Sequence, residues 1–180
     1  MKKIIVMLLM AVAFSGNAEA QKGMMGVGIN GGIGFDFAGY GVVPGVGVKF
    51  QYNITDIIRL EPSFSYYFLN ANTPYGGLNS AGLVNAHIFF MNPRRLRPYF
   101  LAGIGYSSVK ERENYYYNYL NYKYEETRGG FAFDAGLGLD CRLSHRISLQ
   151  VEAVILKQTN YFHTFTGWIL KPNIGVAFNF

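Results

Sequence analysis

From Met24 to Phe180 the chain alternates large apolar residues with small or polar ones, in eight separate stretches. A two-residue period of this kind is the pattern of a β-strand with two unlike faces. The last stretch shows it most clearly. Trp168, Leu170, Ile174, Val176, Phe178 and Phe180 fall in one phase, and Lys171, Asn173, Gly175, Ala177 and Asn179 in the other. The pattern predicts strands over residues 24–37, 42–52, 57–69, 80–91, 98–109, 129–143, 146–158 and 167–180. The connections alternate in kind. Residues 53–56, 92–97 and 144–145 are short and turn-like. Between the other strand ends lie 38–41, 70–79, 110–128 and 159–166, three of them longer and polar-aromatic.

An eight-stranded barrel in water and one in lipid carry the same alternation with opposite faces outward. Three features place the bulky face outside. The weaker face is rich in glycine, as at Gly26, Gly28, Gly32, Gly34, Gly136 and Gly138. A solvent-facing strand position gains nothing from glycine, whereas a narrow interior gains room for neighbouring side chains. The predicted strands run about 11–15 residues against roughly 5–6 in soluble sheets, and a tilted membrane strand needs about 9–11. The bulky face also carries no charge at mid-strand, where one Lys or Arg would cost roughly 2–4 kcal/mol in a bilayer. Lys110 and Lys157 share its phase only at loop ends, where a long stem can snorkel. Tyr66, Phe68, Tyr106 and Trp168 lie toward the long-loop ends, and Tyr52, Phe90, Phe100, Phe178 and Phe180 toward the short turns. Two such girdles are the expected interfacial anchors.

The first twenty residues predict a different fate. Lys2 and Lys3 precede the apolar run Ile4 to Phe14, and Ala18-Glu19-Ala20 forms a small-x-small cleavage site before Gln21. This is the pattern of a secretory signal peptide, with an apolar run too short to span a membrane. The domain organisation read from the sequence is therefore a signal peptide over 1–20 and one barrel domain over 21–180. Without Lys2, Lys3 and Glu19, 14 basic residues face 10 acidic ones, so the net charge falls from +5 to +4. The basic residues are scattered apart from Arg94, Arg95 and Arg97, which read as a solvated turn within reach of anionic head groups. No nucleic-acid partner is expected. Cys141 is the single cysteine, so no internal disulfide forms, and on the apolar face it reads as a small hydrophobe.

The signal peptide, the eight alternating segments and the terminal Val176-x-Phe178-x-Phe180 resemble the small outer-membrane β-barrel family that includes the OmpA transmembrane domain and OmpX. The resemblance covers the whole mature chain. It implies an all-β, eight-stranded, antiparallel up-and-down transmembrane barrel in the outer membrane of Gram-negative bacteria. It further implies both termini in the periplasm, and Val176, Phe178 and Phe180 as a signal read by the outer-membrane assembly machinery. Lipid and lipopolysaccharide are the expected surroundings, and a monomer the expected state. For function it says little, since the fold hosts scaffolds, adhesins and a few enzymes.

Eight strands enclose an interior just wide enough for side chains to fill. The inward phase offers Lys49, Arg59, Glu61, His87, Asp134, Asp140, Arg142, Glu152 and Lys171. Buried charges must be paired, so these predict an ionic network across the lumen. Its expected members are Lys49, Arg59, Glu61, Asp140, Arg142, Glu152 and Lys171, with Glu61 and Glu152 facing some of Lys49, Arg59, Arg142 and Lys171. A structural plug is favoured over a gated ion path.

No enzyme chemistry and no cofactor are expected. Gly26-Val27-Gly28-Ile29-Asn30-Gly31 fits G-x-G-x-x-G but lies within a strand pattern with no helix after it. His87, His145 and His163 show no ligand spacing for a metal. Some eight-stranded barrels deacylate lipid A with a motif resembling His-x-Ser-Asn, but His163 is followed by Thr164-Phe165-Thr166. The remaining anomaly is the segment 110–128. Tyr115, Tyr116, Tyr117, Tyr119, Tyr122 and Tyr124 crowd beside Glu111, Glu113, Glu125 and Glu126. Two-residue spacing across residues 118–121 predicts that strands five and six continue beyond the bilayer as a hairpin. Clustered tyrosine offers large amphipathic contact area, so an extracellular protein or glycan is a candidate partner. The same rings could equally serve to hold the hairpin together.

Overall fold

The computed structural model describes residues 22–37, 42–69, 76–90, 95–117, 120–159 and 167–180. Among these, the alternating stretches form eight strands: β1 (Met25–Asp36), β2 (Val42–Asn53), β3 (Ile58–Tyr67), β4 (Gly76–Phe89), β5 (Leu96–Tyr117), β6 (Leu120–Arg142), β7 (Ile147–Gln158) and β8 (Trp168–Asn179). Each pairs antiparallel with its sequence neighbours, and β1 pairs with β8 to close the barrel. Closure satisfies every strand edge within the bilayer, the condition that lets a sheet cross lipid at all. Met25 and Phe180 exchange two backbone hydrogen bonds of 3.1 and 2.8 Å, so the terminal phenylalanine completes the seam. The predicted signal peptide lies outside the described residues.

The two faces are inverted relative to a soluble protein. Outward stand Ile29, Val48, Phe64, Ile104, Phe131 and Leu137, with Phe131 70% and Ile29 68% exposed. Inward stand Lys49, Arg59, Glu61, Asp140 and Gln150, each nearly inaccessible. Burying charge while exposing a continuous aliphatic and aromatic band is unfavourable in water and favourable in lipid. Glycines supply the interior room expected of them at two telling places. A Cβ on Gly138 would overlap the Tyr99 ring, and one on Gly45 would meet Tyr67.

Two short turns use the same local device. Thr55 Oγ1 accepts the amides of Ile57 and Ile58 at 3.3 and 2.9 Å. Ser144 Oγ accepts those of Arg146 and Ile147 at 3.3 and 3.1 Å. A hydroxyl that satisfies the next two or three amides stands in for ladder bonds where the chain reverses.

At the other end β5 and β6 are 22 and 23 residues long against 10 to 14 for the rest. β4 follows β5 as far as Glu111, and β7 joins β6 only from Ala132 onward. Beyond those points the two strands pair with each other, to Tyr117 opposite Leu120. The six residues of β5 past Glu111 extend about 20 Å at some 3.3 Å per residue. The segment expected as a protruding hairpin is therefore continuous two-stranded ribbon.

Candidate functional site

The lumen divides into layers along the barrel axis. Nearest the short turns, β3, β5 and β6 bring Arg59, Arg97 and Asp140 together. Asp140 Oδ2 accepts from Arg59 Nη2 at 2.9 Å and from Arg97 Nη2 at 2.7 Å. Arg59 Nε also donates to Asn53 Oδ1 at 2.9 Å. Both guanidiniums lie over the Phe89 ring, at 4.9 and 4.1 Å from its centroid. Two like charges this close are held by a shared carboxylate and an aromatic face, each favouring the cation.

The next layer is built on Glu61 and Glu152. Lys49 Nζ lies 3.6 Å from Glu61 Oε2 and 3.6 Å from Glu152 Oε1. Gln51 Nε2 donates to Glu61 Oε2 at 2.7 Å and to Gln150 Oε1 at 2.9 Å. The Tyr99 hydroxyl donates to Glu152 Oε1 at 2.7 Å. His87 stacks on Tyr99, with ring centroids 4.6 Å apart and planes within 10°. Further toward the long loops Lys171 Nζ pairs with Asp134 Oδ2 at 3.3 Å.

Above this the chemistry changes. Val43, Tyr67, Leu78, Leu83, Leu156 and Ile169 form one contiguous apolar cluster inside the barrel, together with Ala81, Val109 and Ala132. The lumen is thus filled by ionic layers below, with Phe89, Tyr99, Leu101 and Val154 packed among them, and an apolar layer above. Among the described residues, the buried cations are Lys49, Arg59, Arg97 and Lys171, and the buried anions Glu61, Asp134, Asp140 and Glu152. Four charges of each sign cancel, which is what a low-dielectric interior requires of any ions it holds.

The structure brings most of the inward charged residues into pairs across the lumen. Of the cations expected in part to face the two glutamates, Lys49 meets both, while Arg59 pairs with Asp140 and Lys171 with Asp134. Arg142, at the last residue of β6, is only half-buried. Arg97 corrects the sequence reading outright: it is no solvated turn residue but 1% exposed, inside the barrel. Its signal was available, since it shares the inward phase of Tyr99 and Leu101. Tyr99 and the apolar layer were missed because large inward residues do not alternate in hydropathy with their outward neighbours.

In the ribbon, Tyr115 stands opposite Tyr122, Tyr116 opposite Asn121, and Tyr124 opposite Glu113. Tyr119 lies outside the described residues, as does His163. His145 is exposed in the turn after β6. Val176, Phe178 and Phe180 face outward, as the alternation predicts.

The family model described as "Outer membrane protein beta-barrel domain" matches residues 4–180. The chain belongs to that family. This outer-membrane barrel has the fold of several solved structures. The N-terminal β-barrel domain of Pseudomonas aeruginosa OprF is similar with a TM-score of 0.64 at 18% identity, over 90% of this chain and 100% of that one. Neisserial surface protein A gives 0.66 at 13%, over 90% and 99%. Ail, the attachment invasion locus protein of Yersinia pestis, gives 0.55 at 15%, over 88% and 99%. At these identities the likeness is one of fold. No curated protein matches the sequence. The chain is an integral β-barrel of the bacterial outer membrane.

Proposed function

We propose that this barrel is a non-enzymatic envelope protein whose lumen is a permanent plug and whose β5–β6 ribbon is presented to partners outside the cell. The observation that carries the first half is the double filling of the lumen. Ion pairs among eight buried charges occupy the part toward the short turns, and an apolar cluster occupies the part toward the long loops. A dewetted apolar layer opposes ion passage even where charged side chains lie beyond it. The alternative, a small gated channel, has the charged string in its favour but must open both layers. Steady single-channel current from the pure protein in planar bilayers would overturn the plug.

The second half rests on the ribbon. Short turns at the end that holds both termini, and longer loops at the other, support periplasmic termini and an extracellular ribbon. Its tyrosines supply rigid amphipathic area suited to a protein or glycan surface. Val176, Phe178 and Phe180 are assigned to recognition by the assembly machinery, and the mature barrel to a monomer surrounded by lipid and lipopolysaccharide. Residues 1–20 are assigned to a cleaved signal peptide. A lipid A-modifying activity has weaker support, since Thr164 and Thr166 do not supply the serine that such chemistry uses near His163.

Trypsin added to intact cells tests the arrangement. Cleavage within residues 110–128 is the expected result. Cleavage only after the outer membrane is permeabilised would reverse the topology. Replacing residues 115–124 by a short turn should then abolish adhesion to host-matrix proteins or glycan arrays; unchanged adhesion would remove the binding role.

A further inference from the structure

Three side chains of the middle layer come from strands far apart in sequence: Glu61 on β3, His87 on β4 and Glu152 on β7. One ligating atom from each lies within 4.8 Å of the others, and all three residues are buried. Sequence spacing could not reveal them, because only closure of the barrel makes β7 face β3 and β4.

The hydrogen bonds around them hold one oxygen of each carboxylate and leave the other. Gln51 and Lys49 address Glu61 through Oε2, while Oε1 faces His87 Nε2 at 3.8 Å. Tyr99 and Lys49 address Glu152 through Oε1. The carboxylates are thus oriented from behind, as metal-ligating carboxylates usually are. His87 is wholly inaccessible, and neither of its ring nitrogens has a hydrogen-bond partner. A buried imidazole without a partner is costly unless something takes up its lone pair. Its ring is fixed by stacking on Tyr99, and its Nε2 points into the cluster.

We propose that Glu61, His87 and Glu152 bind one divalent transition-metal ion inside the lumen, in competition with the Lys49 ammonium for the two carboxylates. One imidazole and two carboxylates suit zinc, with a fourth position for water. Zinc holds such ligands at about 2.0–2.2 Å, so the three must converge by on the order of 1 Å, which side-chain rotation supplies. Charge decides the competition. Lys49 brings the buried set to neutrality without a metal, so an added dication leaves an excess of two positive charges. With Lys49 removed, the excess is one. Lys49 is therefore the residue that sets the affinity.

Because the lumen is closed at both ends, the ion is loaded while the whole chain refolds from urea into detergent micelles. Co2+ is the probe, read by its visible d–d absorption and by metal content after desalting, with circular dichroism to verify the folded barrel. Lys49→Met is expected to retain one Co2+ per chain, displaced when Zn2+ is present during refolding, and to bind about tenfold or more tightly than the native chain. His87→Gln and Glu152→Gln, each in the Lys49→Met background, are expected to lose the ion; the Glu152→Gln amide oxygen can still accept from Tyr99, so that variant keeps its internal support. No retained Co2+ in folded Lys49→Met overturns the proposal. So does retention that survives His87→Gln, which would put the ion at His145 or His163. Equal affinity of the native chain and Lys49→Met would overturn the competing role of Lys49.

Discussion

Toward the short turns the lumen is closed by Arg59, Arg97 and Asp140 against Phe89, whereas toward the long loops Leu78, Leu83, Leu156 and Ile169 close it with Tyr67. Both regions fill the same narrow barrel, yet they tolerate change differently. The ionic region is held by directional bonds that fail when one partner is lost, because the survivors stay buried and charged. The apolar region is held by packing, and loses only what the missing atoms contributed plus the void they leave. One end thus fails by stranding a charge, and the other by leaving a void.

The largest expected effect tests the first of these statements. Asp140→Ala leaves Arg59 and Arg97 facing each other without their carboxylate, and should cost about 3–5 kcal/mol. Urea unfolding followed by the fluorescence of Trp168, the single tryptophan, measures it; a loss no greater than that of a surface substitution would show that Asp140 is no hub. Leu156→Ala should cost about 2–5 kcal/mol by the same assay. Since Leu156 and Asp140 belong to separate layers, the double variant should show the sum to within about 0.3–0.5 kcal/mol. A larger departure would mean that the two closures act as one unit.

Smaller effects sharpen the picture between those ends. Gly138→Val drives a side chain into Tyr99, and should cost about 1–3 kcal/mol by displacing the ring that holds Glu152 and stacks on His87. Unfolding midpoints that match the native barrel would show that Tyr99 has room to move. Tyr115→Ala, in the ribbon opposite Tyr122, should cost only about 0.2–1 kcal/mol, the value of one cross-strand pair. Hydrogen exchange should place that loss in the ribbon and leave the β6–β7 ladder protected. Loss of protection in the ladder would mean that ribbon and barrel unfold together.

The number of strands, their order, the outward face and the ribbon were legible in the chain. A two-residue period reports which face a side chain takes, and neighbouring antiparallel strands need no further instruction than short connections. The inward placement of Lys49, Arg59, Glu61, Asp140, Glu152 and Lys171 followed from the same period. Their partners followed in part only, for Lys49 with Glu61 and Glu152. Whether Arg59 meets Glu61 or Asp140 depends on the stagger between β3 and β6, which are not neighbours in the sheet and share no ladder. Arg97 was misread for a related reason: a charged run beside a turn looks solvated until the closed barrel turns one of its members inward. The apolar layer and the grouping of Glu61, His87 and Glu152 were likewise decided only by closure. Alternation is a local property of each strand, set by the pleat, whereas contact across a lumen depends on how eight strands tilt and shear to meet their own first edge.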